Sequence, residues 1–583
     1  MEWKTSEACL IGHLNSPKSR EKRQNVVADF EATTKLDDCR VWGWGFAYVD
    51  YPDDVEIERT IEEFIERISY LNSTCYFHNL KYDGRFILDW LMKNGYTHDP
   101  DDGKNVREGD FKTLISDMGR FYSITVRWLN GNITEFRDSL NKIPLPIARI
   151  ATAFKLGESK GDLDYHADRP VGHVITAEEK DYIRRDVSIL AKAMKEILEA
   201  GMVKLTVASD SMAQYKSSVG KHFPNFFPIL PEEMDTEIRR AYRGGFTYAD
   251  PRFHKRRLGS GIVLDVNSLY PSVMKNSPIP YGEPLWEDGE VATDTRHPVS
   301  IFSITFTARL RPGHIPCIQI KGSSMFTPTE YLSVIDEPTT LMMTNIDFAL
   351  YSEHYDMNII EYGGGWKFQA AVGMFNAYIE KWAKVKEESV GGQREIAKLF
   401  LNSLYGKFAT NPHVASKVPV LKDDVVRLVQ GEDATRSPVY TAAGVFITSY
   451  ARDLTIRAAQ ANYGVFAYAD TDSLHLLQNE IPESIDIHPT RMGAWKFEYA
   501  FDSAFYVRAK AYLERHAEWC SCKECGFSDG EVFTNRIAGL PERISSLLRF
   551  DDLVDGKVLH GKLTPKAVSG GIVLVDTPYQ LKL

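Results

Sequence analysis

Val465-Phe466-Ala467-Tyr468-Ala469-Asp470-Thr471-Asp472-Ser473 runs as an apolar strand into a turn holding two aspartates, and Leu474-His475-Leu476-Leu477 returns as its partner. Asp is a favoured turn residue, so a polar β-turn is the plain reading of the tip. The flanking strands are apolar, however, and carboxylates wedged between them need a metal or a cationic partner. A second apolar strand, Ile262-Val263-Leu264-Asp265-Val266, also ends in an aspartate before Asn267-Ser268-Leu269-Tyr270-Pro271 turns into a helix. Asp265, Asp470 and Asp472 are the parts of a divalent-cation site built on strand ends.

Between these strands lies a helical stretch with Arg394, Lys398, Asn402 and Tyr405, followed by Gly406-Lys407-Phe408. Steps of four, four and three place the four side chains on one face. Taken singly, such a stripe is a solvated helix face with a core tyrosine. Beside a cation site, the charges suit a triphosphate, the aromatic suits a base, and the glycine permits close approach. Lys381 and Lys386, on the preceding helical stretch Tyr378 to Glu388, are expected to extend the same cationic surface.

The first third of the chain carries a second acidic set. Val26-Val27-Ala28-Asp29-Phe30-Glu31 puts two carboxylates on one side of a strand. Asn79-Leu80-Lys81-Tyr82-Asp83 follows the strand-like Cys75 to Phe77. In Tyr182-Ile183-Arg184-Arg185-Asp186 the i, i+4 helical spacing sets a phenol beside a carboxylate. Each piece alone is an ordinary strand edge or capped helix. Together, four carboxylates and a tyrosine suit phosphodiester hydrolysis with two metal ions. Crowded carboxylates repel unless a cation neutralises them.

Composition sets the frame. A chain of 583 residues is too long for one core and predicts several domains. With 43% hydrophobic and 26% charged residues it reads as ordinary and globular, and no stretch is long and apolar enough for a membrane helix. The start has no apolar signal core and carries Lys18, Arg20, Lys22 and Arg23, so secretion is not expected. Seven cysteines do not make a disulfide scaffold and fit a reduced setting. The net charge of −11 decides little, because phosphate contacts come from local clusters such as Arg239, Arg240 and Arg243 or Lys255-Arg256-Arg257.

Strand-like runs alternate with helices at Val55 to Leu71 and Ala177 to Ala200, predicting an α/β domain with a central sheet. Ala208 to Pro231 reads as a loop-rich boundary. Further strands are expected at Val299 to Ala308, helices from Ala370 to Ala409, and a β-hairpin excursion from Asn411 to Tyr440. The last segment, from Ala538, combines a short helix with strands and a Gly570-Gly571 turn.

These motifs, in this order, resemble the family B DNA polymerases of the protein-primed, phi29 type. Asp29 with Glu31, Asn79 with Asp83, and Tyr182 with Asp186 match the three exonuclease motifs. Lys160 and Asp162 to Tyr165 match a further exonuclease segment whose lysine is catalytic, and Ser139 and Leu140 match residues gripping the single-stranded 3′ end. Asn79 and Tyr82 are likewise implied DNA contacts. Tyr242-Arg243-Gly244-Gly245 matches the motif that links the two modules and holds the template. Asp265 and Val266 match the first palm metal ligands, with Tyr270 as the gate against a ribose 2′-OH. Lys398, Asn402, Tyr405 and Gly406 match the nucleotide-binding fingers motif, Thr448 and Arg452 a template-primer segment, and Lys510-Ala511-Tyr512 the primer grip.

The resemblance covers nearly all of Val26 to Leu583 and implies a multidomain α/β and α+β fold. An RNase H-like 3′-5′ exonuclease (26–206) would follow an N-terminal extension (1–25). A right-hand polymerase would comprise palm (207–277 and 441–537), fingers (374–410) and thumb (538–583), with two branch-specific insertions (278–373 and 411–440). It further implies two Mg²⁺ or Mn²⁺ ions per active site, template-primer DNA and dNTPs as ligands, and a terminal protein as primer. Processive, strand-displacing synthesis by a monomer inside a host cell, without membrane contact, completes the expectation. Ala32 departs from the family's threonine, which implies weaker editing. His516, Cys520, Cys522 and Cys525 have no family counterpart; their spacing could make a zinc knuckle, but ordinary hairpin-tip cysteines are the expectation. Two rival readings are a nuclease whose second half only binds DNA and a non-catalytic replication scaffold.

Overall fold

The computed structural model of the chain describes residues 23–99, 106–320, 331–436, 438–526 and 530–582. Lys18, Arg20 and Lys22, with nearly all of the extension 1–25, lie outside the described residues, as do residues 321–330 of the first insertion. The chain forms two compact units. One comprises Met1–Leu205, Ala415–Ala434 and Pro565–Val573; the other comprises Thr206–Val414, Thr435–Thr564 and Leu574–Leu583.

The first unit is an eight-stranded sheet with helices. Its elements in chain order are β1 (Gln24–Ala32), β2 (Val41–Tyr48), β3 (Val55–Glu58), α1 (Ile61–Ser69), β4 (Ser73–Phe77) and α2 (Leu80–Lys93). There follow β5 (Thr97–His98), β6 (Asp110–Ile115), β7 (Phe121–Arg127), β8 (Ile133–Asp138), α3 (Ile147–Phe154) and α4 (Ala177–Glu199). The sheet order is β3-β2-β1-β4-β8-β7-β6-β5, with β4 parallel to both β1 and β8. Phe30, Phe64 and Phe77 meet edge to face beneath it, Phe30 lying 4.8 and 4.9 Å from the other two rings. A capping box starts α4: the Thr176 hydroxyl accepts from Glu179 N–H, and the Glu179 carboxylate accepts from Thr176 N–H.

Two of the sequence expectations need correction. Val55 to Leu71 is not one helix, because Val55-Glu-Ile-Glu alternates as a strand and Thr60 caps a separate helix with Glu63. Ala208 to Pro231 is not mainly loop: Thr206 caps a helix over Val207–Val219, which Gly220 ends at φ 67°. The hairpin of the second insertion, Lys417–Lys422 with Val425–Gln430, belongs to the first unit. There Arg85 donates to Val426 O at 3.3 Å and Lys93 pairs with Asp424 at 3.2 Å.

The second unit centres on an antiparallel sheet. Its strands run Phe533–Ile537, Ala511–His516, Trp495–Arg508, Gly261–Val266, Ser473–Leu476, Phe466–Asp470 and Thr247–Ala249. The largely buried helix Thr441–Ala461 packs against this sheet. Helices Asn376–Glu388 and Gly391–Phe408 form a pair joined by Trp382 stacked on Phe400 at 4.1 Å. A four-stranded sheet of Ile279–Glu287, Tyr355–Ala371, Val299–Leu310 and Val334–Thr344 completes the unit's larger elements.

Candidate active sites

In the first unit, Asp29 and Glu31 lie opposite Gly45 and Gly43 of β2. These glycines admit α4. A Cβ on Gly45 would come within 2.7 Å of both Ile183 and Val187, so any larger residue would lift the helix. The close approach delivers Asp186 and Tyr182 to β1. Asp83 enters from the first turn of α2, behind Asn79 in a left-handed conformation (φ 80°). The Asp138 carboxylate accepts from the Asn79 and Leu140 N–H groups at 3.0 and 2.9 Å, fixing both segments.

Glu31, Asp83 and Asp186 are buried and Asp29 is partly so. One Asp83 oxygen and one Asp186 oxygen have no hydrogen-bond partner. Burial and the neighbouring Asp186 push Asp29 up to about 7. Burial, then Asp29, raises Glu31 and Asp83 as well, and burial raises Asp186. Lys160 meets Asp186 at 3.0 Å, and its ammonium lies 5.4 Å from the Tyr182 ring centroid. Tyr165 and Tyr182 share a hydrogen bond at 2.7 Å. One lysine does not balance four carboxylates. Orphaned buried oxygens and raised pKa values fit divalent cations held by Asp29, Glu31 and Asp186, with Asp83 beside them.

The second unit's carboxylates are disposed differently. The Val266 N–H donates to Asp472 O at 2.8 Å, binding the end of the Gly261–Val266 strand to the turn after Phe466–Asp470. Thr471, at φ 64°, shapes that turn. Burial and then Asp265 push Asp472 up to about 6, and burial raises Asp265. Lys496 pairs with Asp265 at 3.0 Å. Asp470 accepts from Lys510 Nζ at 3.0 Å and from the Thr247 hydroxyl at 2.9 Å. Asp265 and Asp472 repel each other and both are raised despite Lys496, which fits a divalent ion, while Asp470 is held to one side by Lys510 and Thr247.

Lys386 donates to Ser268 Oγ at 3.3 Å, and burial, then Arg394 and Lys398, depress its pKa. Arg394 donates to the Lys386 carbonyl, and Lys398 pairs with Glu395 at 2.6 Å. This like-charged group suits an anion. Tyr270 stacks on Tyr405 at 3.8 Å between ring centroids. Asn402 is exposed on the same helix. Lys381 is a correction: it donates to Gln214 at 3.4 Å, on another flank from Lys386. Five helical residues turn through roughly 500°, so the two lysines do not share a face.

Several expected nucleic-acid contacts point inward. Arg452 is buried, paired with Asp347 at 2.8 Å, and donates to the Arg243 and Gly244 carbonyls at 2.6 and 3.0 Å. Arg243 is buried with its guanidinium on the Met342 and Ala241 carbonyls. The Thr448 hydroxyl donates into its own helix. Arg452 and Arg243 thus fix the Tyr242–Gly245 loop from within, while the Thr448 hydroxyl stays inside its own helix. Gly245 brings that loop to the aspartate turn, since a Cβ there would meet Thr471 at 2.8 Å. Ser139 is also buried, its hydroxyl donating to Phe77 O at 2.9 Å. Tyr82 and Tyr512 are half-buried and Lys510 is exposed.

Sequence reasoning missed Asp138, Thr247, Asp347 and Lys496. Lys496 and Thr247 sit in strands far along the chain from their aspartates, so no spacing signals them.

Comparisons with known proteins agree with this geometry. The family model "DNA polymerase type B, organellar and viral" matches residues 65–173 and 168–488. The DNA polymerase of Bacillus phage Nf is 41% identical over 96% of this chain and 100% of its own length. That of Bacillus phage phi29 is 40% identical over 96% of this chain and 99% of its own. The Streptococcus phage Cp-1 enzyme is 32% identical over 95% and 98%. Among solved structures, phi29 DNA polymerase with primer-template DNA superposes with a TM-score of 0.91 at 39% identity, covering 96% of this chain and 100% of the other. The fold is accordingly that of an exonuclease joined to a palm, fingers and thumb. By sequence and by architecture, the chain belongs to the organellar and viral type B DNA polymerases, in their phi29-type branch.

Proposed function

We propose that this polymerase copies viral or linear-plasmid-type DNA at the Asp265, Asp470 and Asp472 site and edits 3′ ends at the Asp29, Glu31, Asp83 and Asp186 site. The observation that carries the reading is that each unit holds its own set of mutually repelling carboxylates, buried in the first and half-buried in the second, with the pKa values of Asp29, Asp83, Asp265 and Asp472 all raised. Bound Mg²⁺ or Mn²⁺, two ions per site, would supply activation of the attacking oxygen and neutralise the leaving group.

The chain's own residues do the rest. Lys386, Arg394 and Lys398 take the triphosphate, from which pyrophosphate departs as the primer 3′ oxygen bonds to the α-phosphorus. Asn402 and Tyr405 line the nucleotide, and Tyr270, stacked on Tyr405, limits room at the sugar. Lys510 and Tyr512 hold the primer end. Arg243 and Arg452 act through the Tyr242–Gly245 loop, and Thr448, on the helix that carries Arg452, belongs to the template-primer segment. In the editing unit, Lys160 supports charge near Asp186 and Tyr182 orients water, while Asn79, Tyr82, Ser139 and Leu140 shape the strand path. We assign residues 26–206 to editing, 207–277 and 441–537 to the palm, 374–410 to the fingers and 538–583 to the thumb. The segments 278–373 and 411–440 are insertions serving terminal-protein contact, processivity and strand displacement. The phi29 relatives were solved with primer-template DNA and incoming nucleotides and with single-stranded DNA, which supports both substrates. The enzyme would work as a monomer inside the host cell, primed by a terminal protein.

Asp265→Ala should lower extension of a primed template by about 10³-fold or more and leave degradation of single-stranded DNA intact; Asp29→Ala with Glu31→Ala should do the reverse. Equal loss of both activities in a folded protein would overturn the two-site reading. Incubation with terminal protein and labelled dATP should give a covalent protein–nucleotide adduct; extension without one would remove protein priming and keep the polymerase.

A further inference from the structure

Outside both carboxylate sites, four side chains converge at the tip of a hairpin. His516 ends the strand Ala511–His516, Cys520 and Cys522 follow, and Cys525 lies in the single turn Lys523–Gly526 before the chain reaches Phe533–Ile537. Their ligand atoms all lie within 4.8 Å of one another, and no other such group of three or more occurs among the described residues. His516 Nδ1 stands 3.2 Å from Cys525 Sγ and 3.4 Å from Cys522 Sγ, and those sulfurs are 3.5 Å apart. None of the three cysteines is joined in a disulfide.

We propose that His516, Cys520, Cys522 and Cys525 form a structural zinc site. Three thiolates and one imidazole are a soft donor set that closes a tetrahedron and leaves no open position. Zinc–sulfur bonds of about 2.3 Å place tetrahedral sulfurs roughly 3.8 Å apart, a few tenths of an ångström beyond the spacing seen here. A disulfide would join only two of the sulfurs and leave the third and the ring converging on nothing. The surroundings are arranged as a ligand shell. His516 Nε2 lies 2.8 Å from the Thr534 hydroxyl, which can accept a hydrogen bond from Nε2–H and so turn the Nδ1 lone pair toward the sulfurs. The ring is held flat against Tyr499, 4.4 Å away at 5°. Cys520 Sγ accepts from the Ala500 N–H at 3.4 Å, a bond that favours the thiolate.

The site clamps the hairpin tip to the strand Trp495–Arg508. It lies at one end of Ala511–His516, and Tyr512 and Lys510 lie toward the other, about 13 and about 20 Å away at the rise of an extended strand. The ion is therefore an anchor for the strand that carries those residues, and none of its ligands belongs to either carboxylate site.

The full chain, made without a histidine tag in zinc-supplemented medium, should hold one zinc per chain by elemental analysis. Cobalt-substituted protein should show thiolate-to-cobalt charge transfer and the strong d–d absorption of a tetrahedral ion. Cys522→Ser and Cys525→Ser should each lose the metal. Zinc-free protein that fails to take up zinc or cobalt would overturn the proposal, as would a disulfide among the three cysteines in the freshly isolated chain. If the serine variants do not fold, the cobalt spectrum of the unaltered protein decides. Primer extension by a zinc-free but folded chain would leave the proposed function standing.

Discussion

The two carboxylate sites answer the same electrostatic problem differently. In the first unit, Asp29, Glu31, Asp83 and Asp186 crowd together with Lys160 as their closest cation, and all four pKa values rise. In the second, Lys496 and Lys510 each hold one aspartate, and Arg394 and Lys398 gather around Lys386. The first unit's site, for which we propose editing, is thus built chiefly to receive cations. The second unit's site, for which we propose a charged nucleotide as well as cations, keeps positive side chains in place. On the proposed roles, charge balance, not carboxylate count, separates the two sites.

The sharpest way to break this contrast is Lys160→Ala. Removing this cation should lower degradation of single-stranded DNA by about 10²–10³-fold and leave matched-primer extension within twofold. A similar loss in extension would show that the units are not electrically independent. Gly45→Ala tests the packing that brings Asp186 to β1. Its added methyl should cost on the order of 1–3 kcal/mol of stability in the first unit and reduce degradation, as read by calorimetry and nuclease assay.

Metal-free protein tests the raised pKa values directly. Asp29 titrates near 7 when folded and near 4 when unfolded, so between those values the folded state binds more protons. Stability of the first unit in EDTA should therefore fall as pH rises from about 4 to about 7, the penalty being complete above 7. Mg²⁺ or Mn²⁺ at pH 8 should restore on the order of several °C of melting temperature. Asp29→Ala should abolish much of both the pH slope and the metal response, measured by differential scanning calorimetry. The smallest effect is expected for Lys496→Met: loss of one charge-assisted bond to Asp265 should reduce extension by about tenfold, with degradation unchanged.

Much of this was legible locally. Strand periodicity placed Asp29 and Glu31 on one side, helical spacing set Tyr182 beside Asp186, and apolar runs ending in aspartates marked Asp265 and Asp470. Helical arithmetic also fails locally when pressed too far, as Lys381 demonstrates: membership of the same helix did not give it the same face as Lys386. The Val207–Val219 helix escaped reading because its cap, Thr206, stands before an only weakly amphipathic run.

By itself, then, the order of residues determined which strands and helices carry acid groups, because those depend on periods of two and 3.6 residues. Tertiary structure alone decided which cation each acid meets, that Arg452 is spent on Asp347, that the 415–434 hairpin joins the first unit, and that three sulfurs and an imidazole share one point. Such pairings join positions up to hundreds of residues apart. Their energies arise from burial and Coulomb attraction after the chain has folded, and these leave no mark on local spacing.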